Sequence, residues 1–144
     1  MIIRIKKLNE NATVPTYGTE YSAGADLYNL NEAVTIPAHK TVLIHTGLSA
    51  EIPEGYAGLI YARSGLASKR GLAPANKVGV VDADYRGEIM VALHNHSDID
   101  ATVDAGERVA QLVVTPFLKV EYQLADELSD TVRGAGGFGS TGIK

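Results

Sequence analysis

The most constraining feature of this sequence is a series of short β-favouring segments, each ended by glycine, proline or polar turn residues. Isoleucine alternates with cations in Ile2–Lys6, which is typical of a strand with one buried face. Proline cannot donate to a strand ladder, so Pro37 and Pro53 each end a segment. Further strands are predicted at Val34–Ile36, Thr41–His45, Leu48–Ile52, Tyr56–Tyr61, Val78–Val81, Glu88–Leu93, Ala101–Val103, Val109–Thr115 and Val120–Leu124, with an extended piece in Tyr21–Leu30. This spacing predicts an all-β fold of the sandwich, jelly-roll or barrel-like kind.

One short helix is predicted at Ser64–Arg70, with Ser64 as the N-cap and Gly71 in the C′ position. Arg63 directly precedes it, so a cation, a hydroxyl and free backbone N–H groups meet at the helix start. Such a group binds anions well. An N-cap beside a surface arginine explains the same residues without a ligand, and both interpretations stay open.

Length and charge narrow the possible functions. A chain of 144 residues without internal repeats suits one domain. Its net charge of −4 gives no general basic field, so we expect no nucleic-acid partner, and no stretch is apolar enough for a membrane. The absence of cysteine excludes disulfides, thiolate catalysis and Cys-ligated zinc. The alternation in Met1–Leu8 predicts a strand rather than a signal peptide, which fits the cytoplasm.

The most promising chemical feature is a carboxylate at the end of a buried strand. Val78–Val81 followed by a turn at Asp82–Gly87 and a returning strand at Glu88–Leu93 predicts a hairpin. Asp82 then lies where the strand reaches the surface, partly shielded by Tyr85. A carboxylate in that position can orient and deprotonate a water molecule. Aspartate and glycine are also ordinary turn residues, which is the competing explanation.

The C-terminal segment 133–144 has an unusual composition, with five of the 15 glycines of the chain. Gly134–Gly139 matches the dinucleotide-binding pattern G-x-G-x-x-G. That motif requires a helix after the last glycine, and too few residues follow Gly139 to form one. Two interpretations remain: a solvated tail, or a segment whose backbone N–H groups, Arg133, Ser140 and Thr141 wrap a phosphate chain while Phe138 stacks on a base.

The histidines give a weaker signal. His94 and His96 lie two residues apart on one face of a predicted strand, where a pair of imidazoles can bind a metal ion. No third ligand is apparent in the sequence, and a solvated strand face accounts for the same pattern.

Five segments, in order along nearly the whole chain, resemble the five motifs of the trimeric dUTPases. They are Ala23–Leu27, Arg63–Ala67, Gly79–Gly87, Gly106–Gln111 and Arg133–Gly142. The resemblance implies an Mg²⁺-dependent enzyme that hydrolyses dUTP to dUMP and pyrophosphate, limiting uracil incorporation into DNA and supplying dUMP for thymidylate synthesis. It also implies a distorted jelly-roll domain over residues 1–132, a glycine-rich arm over residues 133–144, and a homotrimer with active sites at the subunit contacts.

The resemblance assigns roles to individual residues. Asp82 matches the carboxylate that activates water for attack at the α-phosphorus, and Tyr85 the ring that lies against the deoxyribose. A packed ring leaves no room for a 2′-hydroxyl and so rejects UTP. The residues that match uracil contacts are Asn76, Val80, Val81 and Met90, the last three near or through their backbone.

The remaining matches concern the triphosphate. Its contacts correspond to Arg63, Ser64, Gly65 and Gln111, and Asp26 supports Mg²⁺ through water. In the family the arm closes over a neighbouring subunit's site, and the residues that match it here are Arg133, Phe138, Gly139, Ser140 and Thr141.

Two other functions remain open at this point. A dCTP deaminase of related fold resembles the Arg63–Gly65 region, although Asp82–Tyr85 and Phe138 argue against it. The second alternative is a non-catalytic nucleotide-sensing or structural β protein, against which the complete set of motifs argues. We expect the protein in the cytoplasm, or in the host-cell cytosol if a virus encodes it.

Overall fold

The computed structural model describes residues 1–30 and 32–138. Within them the chain forms short strands and one helix. In chain order these are Arg4–Lys7 (β1), Thr16–Tyr17 (β2), Ala25–Tyr28 (β3), Val34–Ile36 (β4), Thr41–His45 (β5), Leu48–Glu51 (β6), Tyr56–Tyr61 (β7), Ser64–Arg70 (α1), Leu72–Pro74 (β8), Gly79–Val81 (β9), Met90–Asn95 (β10), Ala101–Val103 (β11) and Arg108–Pro116 (β12). The prediction of an all-β fold with one short helix is confirmed.

The largest sheet has the strand order β2-β3-β12-β7-β9, and its neighbouring strands are antiparallel. Its centre is β12, which pairs with β3 on one side and with β7 on the other. Val109, Ala110 and Leu112 of this strand are buried, as expected for a strand with neighbours on both edges. The sheet therefore fixes the start of β12 next to β3 and to the end of β7.

The other strands form a sheet of order β5-β10-β8 and two pairs, β1-β6 and β4-β11. The described strands thus form separate sheets packed as a distorted jelly roll, without a closed barrel. Their inward faces meet in one hydrophobic core, in which the largest fully buried apolar side chains are Leu27, Ile36, Ile44, Leu48, Leu72, Ile89, Leu93, Val91, Val103 and Val109. Each such side chain contributes roughly 1.5–3 kcal/mol by leaving water.

Most predicted strand boundaries agree with the structure to within two residues. Strands β4, β5, β7 and β11 and helix α1 have the predicted bounds. The first strand, predicted at Ile2–Lys6, begins two residues later at Arg4. Strands β2 and β8 were not predicted, because Thr16–Tyr17 and Leu72–Pro74 are too short to show an alternation of apolar and polar residues.

The predicted hairpin of Val78–Val81 with Glu88–Leu93 is wrong. Strand β9 pairs with β7, whereas β10 pairs with β5 and β8 in a different sheet. Strand β10 has neighbours on both edges and β9 pairs only with β7, so the two strands do not pair with each other and residues 82–89 carry the chain from one sheet to another. The sequence pattern identified the strands but could not show which strands they pair with.

The predicted strand Val120–Leu124 is also absent from the structure. No strand is present between Phe117 and Phe138. Four side chains at alternate positions, Leu118, Val120, Tyr122 and Leu124, are each at least half exposed, from 55% for Val120 to 97% for Leu124. The alternation that favours a strand is real, but within the described chain this segment has no strand to pair with.

The helix differs from its prediction at one end. Arg63, with extended φ and ψ of −87° and 131°, is the N-cap residue and makes no side-chain cap hydrogen bond, so the prediction of Ser64 as N-cap is wrong. Gly71 adopts the left-handed conformation, with φ of 65°, and ends the helix as predicted. Within the described residues, no helix has the length and apolar character needed to cross a membrane.

Candidate active site

Asp82 lies on the rim of a cavity of about 270 Å³ at the junction of β9, β10 and the segment between them. This Asp82 cavity gathers the residues before the C-terminal arm that were predicted to act on water, sugar or base: Asn76, Val80, Val81, Asp82, Tyr85 and Met90. The two sheets that meet here supply opposite walls, because β9 belongs to one sheet and β10 to the other. The chain therefore needs no hairpin to bring these residues together.

Asp82 itself is exposed and follows the buried Val81. Its backbone carbonyl accepts a hydrogen bond from the Tyr85 N–H at 3.1 Å, which closes a turn. Within residues 1–30 and 32–138 the Asp82 carboxylate has no hydrogen-bond partner. An unpaired carboxylate can accept a proton from a bound water molecule.

Tyr85 is held by contacts within its own segment. Its hydroxyl donates a hydrogen bond to the Glu88 carbonyl oxygen at 2.9 Å. The ring lies over Gly87, where an added Cβ atom would stand 2.3 Å from the hydroxyl oxygen. Because nothing larger than glycine fits under the ring, residue 87 determines where the aromatic wall of the cavity stands.

Asn76 lies in a tight turn before β9. The turn is closed by the Lys77 N–H, which donates to the Pro74 carbonyl at 3.0 Å, and Lys77 has a positive φ of 63°. The Asn76 amide lies over Gly79, where an added Cβ would stand 3.3 Å from Nδ2. The exposed amide group is thereby placed at one end of the cavity, with a donor and an acceptor available to a ligand.

A second cavity, of about 650 Å³, contains Arg63. This Arg63 cavity gathers the residues before the C-terminal arm that were predicted to contact phosphate or metal, which are Asp26, Arg63, Ser64, Gly65 and Gln111. Arg63 and Ser64 follow β7, Asp26 lies in β3, and Gln111 faces Asp26 across the ladder of β12 with β3. Its walls also include Arg108, so two guanidinium groups border one concave surface.

Both oxygens of the Asp26 carboxylate accept hydrogen bonds from arginines. Oδ1 lies 2.7 Å from Arg63 Nε, and Oδ2 lies 3.4 Å from Arg108 Nη1. Among the described residues no group of three histidines or acidic side chains could hold a metal ion. The predicted support of Mg²⁺ by Asp26 through water stays a prediction.

Gln111 is fixed by the backbone around it. Its Nε2 donates to the Ala62 carbonyl at 2.9 Å, and its Oε1 lies so close to Gly24 that a Cβ there would stand 2.6 Å away. The side chain thus ties β12 to the segment that leads into Arg63. It borders the Arg63 cavity while holding that segment in place.

Within the described chain the Asp82 cavity and the Arg63 cavity share no lining residue. The structure therefore divides the predicted site residues of one chain into two separate groups. Of the predicted arm residues, Arg133 and Phe138 border neither cavity; Arg133 Nε donates to the Gly136 carbonyl at 2.7 Å, and Phe138 is exposed. The predicted contacts Gly139, Ser140 and Thr141 lie outside the described residues.

A sequence model of the dUTPase family matches residues 10–142 of this chain. The chain belongs to the dUTPase family. Similar curated proteins include the deoxyuridine 5′-triphosphate nucleotidohydrolase of Hydrogenobaculum, 49% identical over the full length of both chains, and that of Picosynechococcus, 50% identical over 99% of each. The relationship thus extends over the cavities and the C-terminal segment alike.

Solved structures of dUTPases share the fold. A mutant dUTPase of Staphylococcus bacteriophage 80alpha with dUpNHpp superimposes with a TM-score of 0.90, at 29% identity over 99% of both chains. A mutant dUTPase of phage phi11 of S. aureus, described for its coordination of a structural Mg(II) ion, gives a TM-score of 0.79 at 27% identity, over 88% of this chain and 98% of that one. The distorted jelly roll is thus the architecture of known dUTPases.

Two charged residues that border the cavities of this dUTPase-family chain were not assigned a role from the sequence. Arg108 reaches Asp26 in the Arg63 cavity, and Glu88 lies in the wall of the Asp82 cavity. Arg108 belongs to a segment that resembles a family motif, and Glu88 directly follows another. A search for charged residues next to the motifs would have found both.

The histidine pair has a structural explanation. The rings of His94 and His96 meet edge to face with centroids 4.5 Å apart, and His94 Nδ1 lies 2.9 Å from the Thr41 hydroxyl. Slight desolvation of the exposed His96, with the nearby positive charges of His94, Lys77 and His39, lowers the pKa of its ring. In the part of the chain that the structure describes, no third ligand joins them.

Proposed function

We infer that this dUTPase-family chain hydrolyses dUTP to dUMP and pyrophosphate. The observation that carries this inference is the Asp82 cavity, in which an unpaired carboxylate, a fixed tyrosine ring and an exposed amide border one space of nucleoside size. That combination supplies a base for water, a wall for a deoxyribose and a hydrogen-bonding group for a pyrimidine. The family relationship supplies the substrate.

In the proposed reaction, Asp82 accepts a proton from a water molecule whose oxygen attacks the α-phosphorus. A new bond forms between that oxygen and phosphorus as the bond to the oxygen bridging the α- and β-phosphates breaks, and pyrophosphate leaves with the electron pair. A single carboxylate suffices because the leaving group is already a stable anion. Positioning of water and phosphate then accounts for much of the acceleration.

Selection of the nucleoside follows from the same walls. The ring of Tyr85 fills the space that a 2′-hydroxyl would need, and Gly87 lets the ring stand there. Asn76 and the backbone at Val80 and Val81 would pair with the edge of uracil, while Met90 limits the space on the other side. A methyl group on the base, as in thymine, would collide with a closed wall.

The triphosphate would lie against the Arg63 cavity. Only Nε of Arg63 bonds to Asp26; both Nη groups have no hydrogen-bond partner within the described chain and are available for phosphate oxygens. Ser64, Gly65 and Gln111 border the same space. Since the described residues form no metal cluster, we expect Mg²⁺ to arrive on the triphosphate, where it neutralises charge on the leaving pyrophosphate.

We also propose that the protein works as a homotrimer. One chain holds the Asp82 cavity and the Arg63 cavity apart, so a complete site requires the Asp82 cavity of one copy to face the Arg63 cavity of another. The exposed alternation of Leu118, Val120, Tyr122 and Leu124 supports this, because such a segment needs a sheet edge outside its own chain.

The C-terminal arm, residues 133–144, would complete the site of a neighbouring subunit. Arg133 and Phe138 are exposed and bind nothing beyond their own segment in the described chain, so both are available to a nucleotide. We propose that Arg133, Ser140 and Thr141 contact phosphates, that the Gly139 backbone follows them, and that Phe138 stacks on the base. Ordering this glycine-rich segment costs entropy that only a bound triphosphate would offset.

The decisive experiment is a nucleotide-selectivity assay with the purified protein and Mg²⁺. Pyrophosphate should be released from dUTP at least about 100-fold faster than from UTP, dTTP or dCTP, a ratio that exclusion of one small group can reach. Asp82→Asn should bind dUTP and scarcely turn it over, whereas Asp84→Asn, which removes a neighbouring exposed carboxylate, should keep its activity. Ammonia release from dCTP, or near-normal turnover by Asp82→Asn, would contradict the proposal.

In a cell, this activity would limit uracil incorporation into DNA and supply dUMP for thymidylate synthesis. The cytoplasm, predicted from the sequence, is the compartment we propose for it.

A further inference from the structure

Glu88 occupies a wall between two cavities. On one side it borders the Asp82 cavity, and on the other it borders a cavity of about 290 Å³ with Leu8, Asn9, Leu30, His45 and Gly47. Its side chain is 23% exposed, so the carboxylate is largely screened from water. A carboxylate in such a place needs hydrogen-bond partners, and Glu88 has them on both oxygens.

The partners of the Glu88 carboxylate are the last residue of β5, His45, and Gly47 in the turn that leads to β6. Oε2 lies 2.9 Å from His45 Nδ1, and Oε1 accepts the Gly47 N–H at 2.8 Å. Gly47 has a positive φ of 67°, a conformation that glycine adopts without strain. The turn therefore presents a backbone donor and an imidazole at the spacing of one carboxylate.

Backbone contacts join the same two segments on either side of Glu88. The Ile89 N–H donates to the Leu48 carbonyl at 2.8 Å, and the Thr46 hydroxyl donates to the Ile89 carbonyl at 2.5 Å. The Ser49 hydroxyl donates to the Arg86 carbonyl at 2.8 Å. Arg86, Glu88 and Ile89 are thus each hydrogen-bonded to residues 45–49.

The Glu88 backbone contacts the aromatic wall of the Asp82 cavity directly, because its carbonyl accepts a hydrogen bond from the Tyr85 hydroxyl at 2.9 Å. We propose that Glu88, clamped by His45 and Gly47, is a positioning residue for Tyr85 and thereby sets the discrimination between dUTP and UTP. The inference rests on the proposed hydrolysis of dUTP and adds the residues that hold its sugar-selecting ring. Neither Glu88 nor His45 touches the reacting atoms.

The proposed effect of Glu88 on sugar selection is indirect and acts through the position of the Tyr85 ring. The Glu88 side chain acts together with the Ile89 N–H, which donates to the Leu48 carbonyl, to fix the peptide group whose carbonyl holds the Tyr85 hydroxyl. Loss of the carboxylate therefore loosens the ring without removing it. A loosened ring excludes a 2′-hydroxyl less well, and it is no longer fully positioned for the deoxyribose before binding. The expected result is weaker binding of dUTP and a smaller preference over UTP, with a lesser effect on the chemical step.

The test uses full-length Glu88→Ala, Glu88→Gln and His45→Ala. For Glu88→Ala we expect the KM for dUTP to rise roughly tenfold and kcat to fall less than about threefold. The dUTP-to-UTP ratio of kcat/KM should fall roughly tenfold, which is the size expected for loss of hydrogen bonds to a charged group. Glu88→Gln keeps an acceptor for Gly47 and should restore most of the ratio. His45→Ala removes only the contact between His45 and Glu88, so its dUTP-to-UTP ratio should lie between those of Glu88→Ala and Glu88→Gln.

Asp98→Ala is the matched control. It removes another histidine–carboxylate contact of 2.9 Å, with His39, in which both side chains are exposed and neither residue lines the Asp82 cavity or the Arg63 cavity. Its KM, kcat and dUTP-to-UTP ratio should equal those of the wild type. If Asp98→Ala changed KM or the dUTP-to-UTP ratio as much as Glu88→Ala does, the effect would not be specific to the contacts of Glu88 with His45 and Gly47.

Hydrogen–deuterium exchange without nucleotide separates this inference from the proposed function. In Glu88→Ala the amides of residues 82–89 should exchange faster than in the wild type, while those of β12 stay protected. Unchanged exchange and an unchanged dUTP-to-UTP ratio in folded Glu88→Ala would overturn the positioning role. If the wild type does not hydrolyse dUTP, the proposed function fails, and exchange alone decides whether Glu88 holds the segment. If Glu88→Ala does not fold, His45→Ala and Glu88→Gln decide by the same measurements.

Discussion

Arg63 donates from Nε to Oδ1 of Asp26 at 2.7 Å, and this pair joins the end of β7 to the middle of β3. The Asp26 side chain is only 11% exposed and that of Arg63 25%. The carboxylate therefore holds the guanidinium by one edge and leaves the other edge for a ligand. Arg108 approaches the second oxygen of Asp26 and adds a further cation to the same cavity wall.

Asp26→Asn should separate this role from metal binding. If Asp26 positions Arg63, the KM for dUTP should rise roughly tenfold at saturating Mg²⁺, with an unchanged Mg²⁺ concentration for half-maximal activity. The free energy of unfolding should fall by about 2 kcal/mol, less than for a fully buried pair because Arg63 and Arg108 are partly exposed. Steady-state kinetics over a Mg²⁺ titration and urea unfolding measure both.

The control for this variant is Glu107→Gln, which weakens a partly buried pair with Arg70 outside the lining of the Arg63 cavity. It should reduce stability without raising the KM for dUTP. A shift of the Mg²⁺ midpoint in Asp26→Asn, with KM unchanged at saturating metal, would instead favour the metal role for Asp26.

Gly87→Ala tests whether the position of the Tyr85 ring depends on the absence of a side chain at residue 87. The new Cβ would stand 2.3 Å from the tyrosine hydroxyl and 2.8 Å from Cε2, so the ring must move. We expect kcat/KM for dUTP to fall at least about tenfold and the preference over UTP to shrink, while the midpoint of thermal unfolding changes little, because the ring is 42% exposed. Wild-type selectivity in this variant would show that the ring does not select the sugar.

Ionisation of the Glu88 carboxyl should contribute to the pH dependence of the free energy of unfolding. Burial raises the pKa of this carboxyl, but the hydrogen bonds from His45 and Gly47 and the charge of His45 outweigh burial and lower the pKa below its usual 4.5. A lowered folded-state pKa gives stability that is present above pH 4.5 and is lost as pH falls through the folded-state pKa. Below pH 4.5, wild type should therefore lose more free energy of unfolding than Glu88→Gln, as measured by urea unfolding at pH 6, 4 and 3. Parallel losses in the two proteins would contradict this.

Short-range features of the fold were predictable from the sequence because each depends on a few neighbouring residues. The bounds of β5 and β7 follow from local alternation and from the turn residues that flank them, and Gly71 ends α1 because it takes the left-handed conformation. Strand pairing was not predictable, since β9 finds its partner in β7, some 20 residues earlier in the chain. Two-residue β2 is formed by its neighbour β3 rather than by any propensity of its own.

In the candidate site, too, the contacts between residues distant in sequence were the ones that could not be predicted. Asp82, Tyr85 and Asn76 were predicted together, and the structure lines one cavity with them. The pairing of Asp26 with two arginines was not predicted, because the residues are far apart in sequence and meet only through the β3–β12 ladder and the end of β7. Glu88 was missed because its partners, His45 and Gly47, belong to a distant turn.

Two truncations separate the C-terminal arm from the segment that precedes it. Removal of residues 133–144 deletes the predicted phosphate contacts but keeps the alternating apolar side chains from Leu118 to Leu124. We expect turnover of dUTP to fall at least about 100-fold, as for loss of a closing segment, with little change in unfolding temperature. Light scattering should still give the mass of a trimer.

Removal of residues 117–144 also deletes the exposed alternation. Those side chains find no strand within the described part of their own chain, so we expect their loss to weaken association and to give a smaller species in light scattering at micromolar concentration. Thermal unfolding should shift downward with it and become concentration-dependent. A trimer of unchanged stability after the longer truncation would mean that this segment joins no subunits. Full activity after the shorter truncation would remove the arm from the proposed site.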